Sequence, residues 1–260
     1  CMVFSLVPAT VWAETTNGHT HYLCGGSTCN GSGHENETYK TTFEKEIKQE
    51  GNTLKIGDKS WAPTKGSNDT FYILPTGTYY LGSDISLEYT IKIENNVTLC
   101  LNGHKITAAD GMDAIYMTGG SVYVYSGSGT FNMYGGSITG NRATGDGGGV
   151  YKSGSNSSFN MYGGSITGNT ANSYGGGVYV DGGGFTMSGG TIGGTKTGET
   201  NTATYGGGGV YVVGSSSTFE MTDGSITGNN AAYGGGVYTV NEFKMTGGSI
   251  TGNNAYKSDY

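Results

Sequence analysis

The sequence predicts an all-β fold: a right-handed parallel β-helix with three short strands in each coil and a small N-terminal cap. A unit containing Phe-x-Met, Gly-Gly-Ser-Ile-Thr-Gly-Asn and Gly-Gly-Gly-Val-Tyr recurs through the second half of the chain. Each apolar segment of the unit is short and alternates apolar with polar residues, which is typical of strands. Glycine-rich stretches separate the segments, and glycine adopts the positive φ of tight corners without strain. The crossover preference of parallel strands predicts the right hand.

The repeated unit begins at five phenylalanines separated by 28, 26, 34 and 24 residues. These residues are Phe131, Phe159, Phe185, Phe219 and Phe243. A methionine follows each phenylalanine by two positions and an isoleucine by seven, as in Met161 and Ile166. Because side chains alternate between the two faces of a strand, these residues are predicted inside and Asn160 outside. A repeat of about 20–50 residues, which buries its apolar side only by stacking, predicts a solenoid.

An asparagine marks one corner of most units: Asn141, Asn169, Asn229 and Asn253. Asparagine tolerates the left-handed conformation, and stacked asparagines can hydrogen-bond along the axis. The third unit is predicted to break this ladder, because Gly193 and Gly194 replace Thr-Gly-Asn there. That unit is also the longest, so its extra residues, near Thr195 to Thr204, are predicted to form a protruding loop.

Composition divides the chain into four predicted regions. Residues 1–13 resemble the end of a secretory signal peptide, an apolar run that ends in Val-Trp-Ala; a buried N-terminal strand is the alternative. Residues 14–37 form a Cys/His-rich segment, residues 38–69 form the cap, and residues 70–260 form the β-helix, with regular repeats from residue 131. An open β-helix end would expose strand edges, so we expect the natural chain to continue beyond the last corner.

The cap region carries mixed signals. Three apolar residues fit one face of a short helix: Tyr39, Phe43 and Ile47. Glu44 and Lys48 would form an i,i+4 pair on that helix, whereas Leu54 and Ile56 alternate as in a strand. A cap must cover the strand edges and the core of the first coil, and Trp61 is large and apolar enough to plug that end.

Cysteine and histidine residues cluster near the N-terminus: His19, His21, Cys24, Cys29 and His34. Both residue types are preferred ligands of structural zinc, and the two cysteines with two of the histidines would complete a four-ligand site. A Cys24–Cys29 disulfide is the rival interpretation and is favoured by export. A polar linker with neither feature is the third. Cys1 is expected to leave with the signal peptide, and Cys100 is expected inside a strand.

The charge balance excludes several partners. Charged residues make up 13% of the chain, the formal net charge is −7 and Arg142 is the single arginine. Phosphate binding needs clustered lysine and arginine, so nucleic acid is not an expected partner. No apolar run in the sequence reaches the ~18 residues of a membrane-spanning helix, so no transmembrane segment is expected.

The repeat resembles two groups of bacterial surface proteins. Gly-Gly-Gly-Val-Tyr at 147–151 and Ile-Thr-Gly-Asn-Arg-Ala at 138–143 are similar to the GGA-[IVL] and FxxN motifs of chlamydial polymorphic outer-membrane proteins, with Gly for Ala and Ile for Phe. Leu-Cys-Leu-Asn-Gly-His-Lys-Ile at 99–106 is similar to large surface proteins of Gram-positive gut bacteria. Both resemblances imply a pectin-lyase-like right-handed β-helix and surface display or adhesion.

Catalysis on this fold would mean a polysaccharide lyase or hydrolase, which needs clustered carboxylates, usually with calcium, or an Arg or Lys base. Asp110 and Asp113 are close in sequence, as are Arg142 and Asp146, but neither pair recurs on a neighbouring coil. Solvated turn residues are the simpler interpretation of both pairs, and His104 is interpreted as a corner residue. The chain is therefore expected to contain no catalytic site and to require no cofactor.

Outward tyrosines form the candidate binding surface: Tyr151, Tyr179, Tyr211 and Tyr238. They follow the inward valines of four units and are predicted to stack about 4.8 Å apart. Such a row can hold a glycan or a protein of a host or neighbouring cell; alternatively, the stacking only stabilises the coils. Outward serines and threonines, such as Ser137 and Thr139, make a second row that resembles the threonine faces of ice-binding β-helices, although Gly193 interrupts it.

These features together predict a secreted or cell-surface β-helical repeat protein that acts as a structural stalk or an adhesive surface. A carbohydrate-active enzyme, or a carbohydrate-binding module on the same fold, is the alternative. Release of reducing sugars would separate the enzyme from the interpretations that involve binding alone.

Overall fold

The computed structural model describes residues 19–21, 41–43, 45–65, 70–108, 122–124 and 129–257. Every regular secondary-structure element within these residues is a β-strand, and several of the sheets are parallel. The all-β prediction is therefore confirmed, and the strand arrangement is compatible with a β-helix. The predicted signal-peptide remnant, residues 1–13, lies outside the described residues.

Six short strands form the N-terminal part. They are β1 (His19–His21), β2 (Thr41–Phe43), β3 (Lys45–Glu50), β4 (Thr53–Ile56), β5 (Lys59–Ser60) and β6 (Thr64–Lys65). Strands β3, β4 and β5 form an antiparallel meander. Seven strands follow before the regular repeats: β7 (Thr70–Leu74), β8 (Gly77–Leu81), β9 (Ile85–Leu87), β10 (Thr90–Ile93), β11 (Val97–Cys100), β12 (Lys105–Ala108) and β13 (Val122–Val124).

The short helix predicted through Ile47 is wrong. Ile47 lies in the middle of β3, fully buried, and β3 pairs in parallel with β8. The ladder that β8 offers satisfies the backbone of β3, so sheet pairing overrides the helical spacing of the apolar residues. Lys48 contacts Glu46 and Glu50, its strand neighbours on the same face, at 3.5 and 3.1 Å. The predicted strand at Leu54 and Ile56 is confirmed as part of β4.

Trp61 packs into the core beside this meander. Its ring centroid lies 5.2 Å from that of Tyr72, and its indole Nε1 donates to the carbonyl oxygen of Ile73 at 3.0 Å. A buried indole needs such a partner because an unpaired N–H is costly away from water. Trp61 is therefore anchored at the N-terminal end of the described sheets.

The regular repeats supply the remaining strands. The first two units contain β14 (Thr130–Tyr134), β15 (Ser137–Thr139), β16 (Arg142–Ala143), β17 (Val150–Ser153), β18 (Ser158–Met161), β19 (Ser165–Thr167), β20 (Thr170–Ala171) and β21 (Val178–Asp181). The last three contain β22 (Gly184–Ile192), β23 (Thr202–Ala203), β24 (Val210–Val213), β25 (Thr218–Thr227), β26 (Asn230–Ala231), β27 (Val237–Thr239), β28 (Glu242–Met245), β29 (Ser249–Thr251) and β30 (Asn254–Ala255).

Equivalent strands of successive units pair in parallel. The Val-Tyr strands lie in an eight-stranded sheet of order β27-β24-β21-β17-β13-β10-β7-β6. The Phe-x-Met and Ser-Ile-Thr segments share a fifteen-stranded sheet, because β22 and β25 each run through both segments. A five-stranded sheet, β16-β20-β23-β26-β30, consists of two-residue strands. This sheet adds a fourth segment to the three that the sequence predicted for each unit.

Apolar side chains of successive units stack in register inside the protein. The five repeat phenylalanines form a continuous stack with neighbouring centroids 4.7–5.1 Å apart. Met161 and Ile166 are fully buried beside the stack, and Asn160 faces outward, where its Nδ2 donates to Asn132 Oδ1 at 2.8 Å. The predicted inward and outward facing of these residues is confirmed.

The asparagine ladder is continuous from Asn141 to Asn253 and is buried as far as Asn229. Each side-chain Nδ2 donates to the Oδ1 of the next asparagine, at 2.8–3.0 Å. The predicted break in the third unit is wrong, because Asn201 fills that place in the ladder. The left-handed conformation suggested for the corner asparagines is instead adopted by the glycine before them, for example Gly168.

The extra residues of the third unit form a loop, but a shorter one than predicted. The strand β22 ends at Ile192, and β23 already begins at Thr202. Most side chains between Thr195 and Thr200 are exposed. The inserted segment therefore begins at Gly193, after β22, and ends at Asn201, before β23.

Candidate binding face

The predicted tyrosine row is present on the eight-stranded sheet. Strands β17, β21, β24 and β27 place a buried or half-buried valine and then a tyrosine in the same register. Ring centroids are 5.0 Å apart for Tyr151 and Tyr179, 5.6 Å for Tyr179 and Tyr211, and 5.0 Å for Tyr211 and Tyr238. Their planes are within 18° of parallel. The stacking is thus as predicted, and ligand binding there stays a prediction.

The stacking determines what the row offers to a partner. Tyr179 is only 9% exposed, and the other three tyrosines are half-buried. Because Tyr179 and Tyr211 each have a ring neighbour on both faces, these two rings present mainly edges and hydroxyl groups outward. A ligand that needs a free aromatic face must therefore bind elsewhere than at these two rings.

A second column of residues runs beside the row, four positions before the inward valine of each unit. It contains Asp146, Tyr174, Gly206 and Tyr233 in successive units. The Tyr174 backbone N–H donates to Asp146 Oδ1 at 3.1 Å, and Gly206 bridges to both Tyr174 and Tyr233. We call the tyrosine row together with this second column the tyrosine face.

The third unit departs from this pattern at Tyr205. Four glycines separate Tyr205 from the following valine, whereas three separate Tyr174 and Tyr233 from theirs. Gly206 therefore occupies the tyrosine place in the column, and Tyr205 lies outside it with 48% of its surface exposed. The Tyr174 ring contacts both neighbours, with its centroid 5.4 Å from Tyr205 and 4.5 Å from Tyr211, at tilts of 41° and 36°.

Gly206 also explains the packing of the column at this point. A Cβ atom at Gly206 would lie 3.1 Å from Cε2 of the Tyr211 ring, which is tighter than ordinary contact. Because Gly206 has no side chain, the Tyr211 ring can pack close to the backbone at this position. Tyr256 of the last unit reaches back towards the same region, since its hydroxyl donates to the carbonyl oxygen of Thr204 at 2.9 Å.

The tyrosine face is acidic. Burial raises the pKa of the Asp146 carboxyl, although the hydrogen bond from Tyr174 acts in the opposite direction. Burial also raises the pKa of Tyr179 and Tyr211, and the negative charge of Asp146 adds to both shifts. Asp181 contributes further negative charge at Tyr179. Among the groups that act electrostatically on these three residues, Asp146 and Asp181 are carboxylates and the others are tyrosines, so the face disfavours anionic ligands.

A buried lysine lies behind the tyrosine face, and the sequence repeat did not reveal it. Lys152 on β17 occupies an inward position that Val180 fills on β21. Its ammonium donates to the carbonyl oxygens of Gly154, at 2.9 Å, and Gly182. Burial lowers the pKa of Lys152 to about 8, and the negative charge of Asp181 partly opposes the shift. Full burial makes this amine a structural group and not an accessible nucleophile.

The structure tests only part of the N-terminal metal prediction. His19 and His21 lie on β1, which pairs antiparallel with β2. Cys24, Cys29 and His34 lie outside the described residues, so the zinc and disulfide interpretations both stay predictions. Elsewhere in the described chain, no group of three or more His, Cys, Asp or Glu side chains is placed to hold a metal ion. Cys100 is buried at the end of β11, as expected.

The residues considered for catalysis are dispersed. His104 Nδ1 lies 3.1 Å from Asp84 Oδ1, and this carboxylate also accepts from the Lys105 N–H. The pair sits beside the predicted Asn-Gly turn, where Asn102 has a φ of 49°. Asp146 accepts from a backbone amide of the tyrosine face, and Asp110 and Asp113 lie outside the described residues.

The outward hydroxyls of the Ser-Ile-Thr segments partly contact one another. Thr167 Oγ1 donates to Thr139 Oγ1 at 3.3 Å, and Ser249 Oγ donates to Ser225 Oγ at 3.4 Å. The row is half-buried along most of its length. Its hydroxyls are therefore partly used within the protein.

No family model, curated protein or solved structure matches the chain. The similarity to chlamydial and Gram-positive surface proteins therefore remains a resemblance in short motifs. Among the described residues, no helix is long and apolar enough to cross a membrane.

Proposed function

We propose that this protein is a right-handed parallel β-helix of the pectin-lyase type, secreted or displayed at a cell surface. It serves as a structural stalk and presents an adhesive face, and it acts without catalysis. The parallel pairing of equivalent strands supports the architecture. The apolar run at residues 1–13 supports export.

The observation that carries this proposal is the tyrosine row, which continues across four units with a spacing of 5.0–5.6 Å. Its hydroxyls and ring edges repeat at the spacing of the strands, so an extended partner meets the same chemistry several times. Repeated weak contacts along one partner raise the overall affinity without requiring any single strong site. A glycan or protein of a host or neighbouring cell is the partner that fits such a surface.

The internal ladders suit a stalk. Every unit pairs with the next through backbone hydrogen bonds, the phenylalanine stack and the asparagine ladder. Each additional unit extends such an array by about 4.8 Å, the distance between neighbouring strands. A protein of this kind gains length by adding units and keeps the same outward face.

The test is binding of the purified chain to intact cells and to a glycan array. We expect the wild-type protein to bind, and a variant with Tyr151, Tyr211 and Tyr238 replaced by serine to bind at least about tenfold more weakly. A matched control replaces Ser137, Ser165 and Ser225 by alanine on the other sheet and keeps wild-type binding. Circular dichroism and thermal unfolding check that both variants fold.

Two results would contradict the proposal. The first is a folded wild-type protein that binds neither cells nor glycans. The second is release of reducing ends or unsaturated sugars from polysaccharides, which would favour a carbohydrate-active enzyme.

A further inference from the structure

Tyr205 stands one position before the column, where the second unit has Ser173, and Gly206 stands in the column itself. In the second and fourth units, the tyrosine before the glycine run lies in the column, as Tyr174 and Tyr233 do. In the third unit, which has the same length as the second between its ladder asparagine and its valine, Gly206 takes that place and Tyr205 lies one residue earlier, outside the column. The displacement thus leaves the parallel pairing intact and changes what the surface offers.

The displaced ring provides a surface that the stacked row lacks. Tyr205 is 48% exposed, and it meets its neighbour Tyr174 at 41° instead of stacking in parallel. The Tyr256 ring is 52% exposed, and its hydroxyl is fixed to the carbonyl oxygen of Thr204, immediately before Tyr205. Two exposed rings from the third and fifth units therefore approach the same short segment.

The size of this patch favours a small ligand over a protein. A fully covered aromatic side chain buries about 150–250 Å², so two half-exposed rings offer roughly 200 Å² of contact. A stable protein interface needs about 800 Å² from each partner. One or two sugar rings match the smaller area, and their apolar faces can lie on an exposed aromatic ring while their hydroxyls bond to neighbouring polar groups.

The polar groups beside Tyr205 are uncharged. The exposed Thr204 side chain and the Tyr256 hydroxyl are neutral hydrogen-bonding groups. Lys196 and Glu199 on the preceding loop lie 3.8 Å apart and balance each other. Asp146 lies two units away along the column, about 10 Å at the spacing of strands, which is a full screening length at 0.1 M salt. Lys257 follows Tyr256 in the chain and is exposed. A single solvated ammonium contributes at most ~1 kcal/mol to an ion pair, so charge does not dominate the choice of ligand at this position.

We propose that the third unit carries a binding site for an uncharged saccharide, with Tyr205 as the aromatic platform and Tyr256 beside it. The proposal rests on the proposed adhesive function and assigns its saccharide contact to one place on the surface. The regular tyrosine row then supplies weaker contacts along the same partner.

A glycine deletion provides the sharpest test. Removing Gly206 leaves Tyr205 followed by three glycines and a valine and places Asn201 eight residues before that valine. This is the spacing of the fourth unit between Asn229 and Val237, and it returns the tyrosine to the column. We expect this variant to fold and to melt no lower than wild type, while its binding of neutral oligosaccharides falls at least about tenfold. Tyr205→Ala should show the same loss, and Tyr205→Phe should bind within about threefold of wild type because the ring is retained. Tyr162→Ala, at a tyrosine that stacks on Tyr134 outside the tyrosine face, is the matched control and should keep the binding.

The probes are neutral gluco-, galacto- and N-acetylglucosamine oligomers, with oligogalacturonate as the anionic comparison, measured by calorimetry and saturation-transfer NMR. Wild-type binding by folded Tyr205→Ala and by the deletion variant would overturn the site but leave the adhesive function in place. Failure of the wild-type protein to bind any neutral oligomer would overturn the site too. Cell adhesion of that same protein then decides separately whether the proposed function survives. Preference for oligogalacturonate would contradict the uncharged ligand.

Discussion

Asn169 donates from its side-chain Nδ2 to Oδ1 of Asn201 at 3.0 Å, although 32 residues and an exposed loop separate the two along the chain. The same Asn201 Oδ1 also accepts from the Asn169 backbone N–H at 2.9 Å. Asn201 in turn donates to Ile166 and Asn229. One buried amide therefore joins three successive units at the place where an insertion interrupts the repeat. The ladder does not depend on the residues of the loop.

Replacing Asn201 by alanine should lower stability strongly. The substitution leaves several buried donors and acceptors without partners, at about 1–3 kcal/mol each. We expect a loss of about 2–5 kcal/mol in the free energy of unfolding, measured by urea denaturation. Asn172→Ala, at an exposed position, is the control and should change stability by less than about 0.5 kcal/mol.

Shortening the loop should have little effect by comparison. Replacing residues 194–200 by one glycine reproduces the Thr-Gly-Asn spacing of the other units, with Gly193 in the threonine place. Loop length contributes weakly to stability, about 0.6 kcal/mol for each doubling. A melting temperature reduced as much as that of Asn201→Ala would show that the loop itself holds the ladder together.

Ile166→Asp should abolish folding, whereas Asn160→Asp should be tolerated. Ile166 is fully buried among apolar side chains, and an ionised carboxylate there has no partner. Asn160 faces outward and is half-buried, so the substitution loses one hydrogen bond, worth about 0.5–1.5 kcal/mol. Thermal melts of the two variants compare them directly, and equal stability would refute the inward and outward assignment.

Lys152 should make stability increase with pH. Its folded-state pKa is about 8, below the usual 10.5 of the unfolded chain. Between these values the unfolded state binds more protons, so the free energy of unfolding rises with pH. Below about pH 8 the buried charge is a constant penalty of roughly 3 kcal/mol. Above pH 10 the raised pKa of Tyr179 acts in the opposite direction, since the unfolded tyrosine ionises first.

Lys152→Met is the variant that isolates this effect. Methionine fills a similar volume and carries no charge, so it should stabilise the protein at pH 7. The advantage over wild type should shrink as the pH rises from 8 to 10, measured by urea denaturation at each pH. An advantage that is independent of pH would mean that packing, and not the ammonium charge, causes the difference.

Measurements of mass and metal content should distinguish a zinc site from a disulfide at the N-terminal cysteines and histidines. Zinc bound by Cys24, Cys29 and two histidines should give one equivalent of metal in protein purified under reducing conditions. Chelation should then lower the stability of the N-terminal segment. Metal-free protein that is two hydrogens lighter than the reduced mass would eliminate zinc and establish the disulfide.

The repeat itself was sufficient to predict the interior. Phe159, Met161 and Ile166 stand at constant offsets, and an apolar residue at a constant offset in stacked parallel strands has to be inside. The row of Tyr179 and Tyr211 follows from the same register, because each tyrosine comes directly after an inward valine. Local pattern and tertiary pairing agree at these positions, which is why sequence reasoning succeeded there.

Irregular positions were harder to predict. Asn201 is hard to assign to the ladder because the insertion after Ile192 changes its distance from the isoleucine. The buried side chain of Asn169 needs a hydrogen-bond partner in the next unit, which is the only hint. The outward place of Tyr205 follows only once the column is known, because Gly206 is then the residue four positions before the inward valine. Alternation from Val150 places Lys152 inward, but charged residues are almost never fully buried, so the strand pattern and the residue type disagree at this position. Ile47 was misassigned because its pairing partner, β8, is distant in sequence.

The closed asparagine ladder beneath the loop at residues 194–200 has a practical consequence. A foreign peptide grafted between Gly193 and Asn201 would leave the stacked strands at this corner without disturbing the asparagine ladder. The same arrangement lets natural variation accumulate at one corner, where new sequences can be tried as recognition elements while the interior is inherited unchanged.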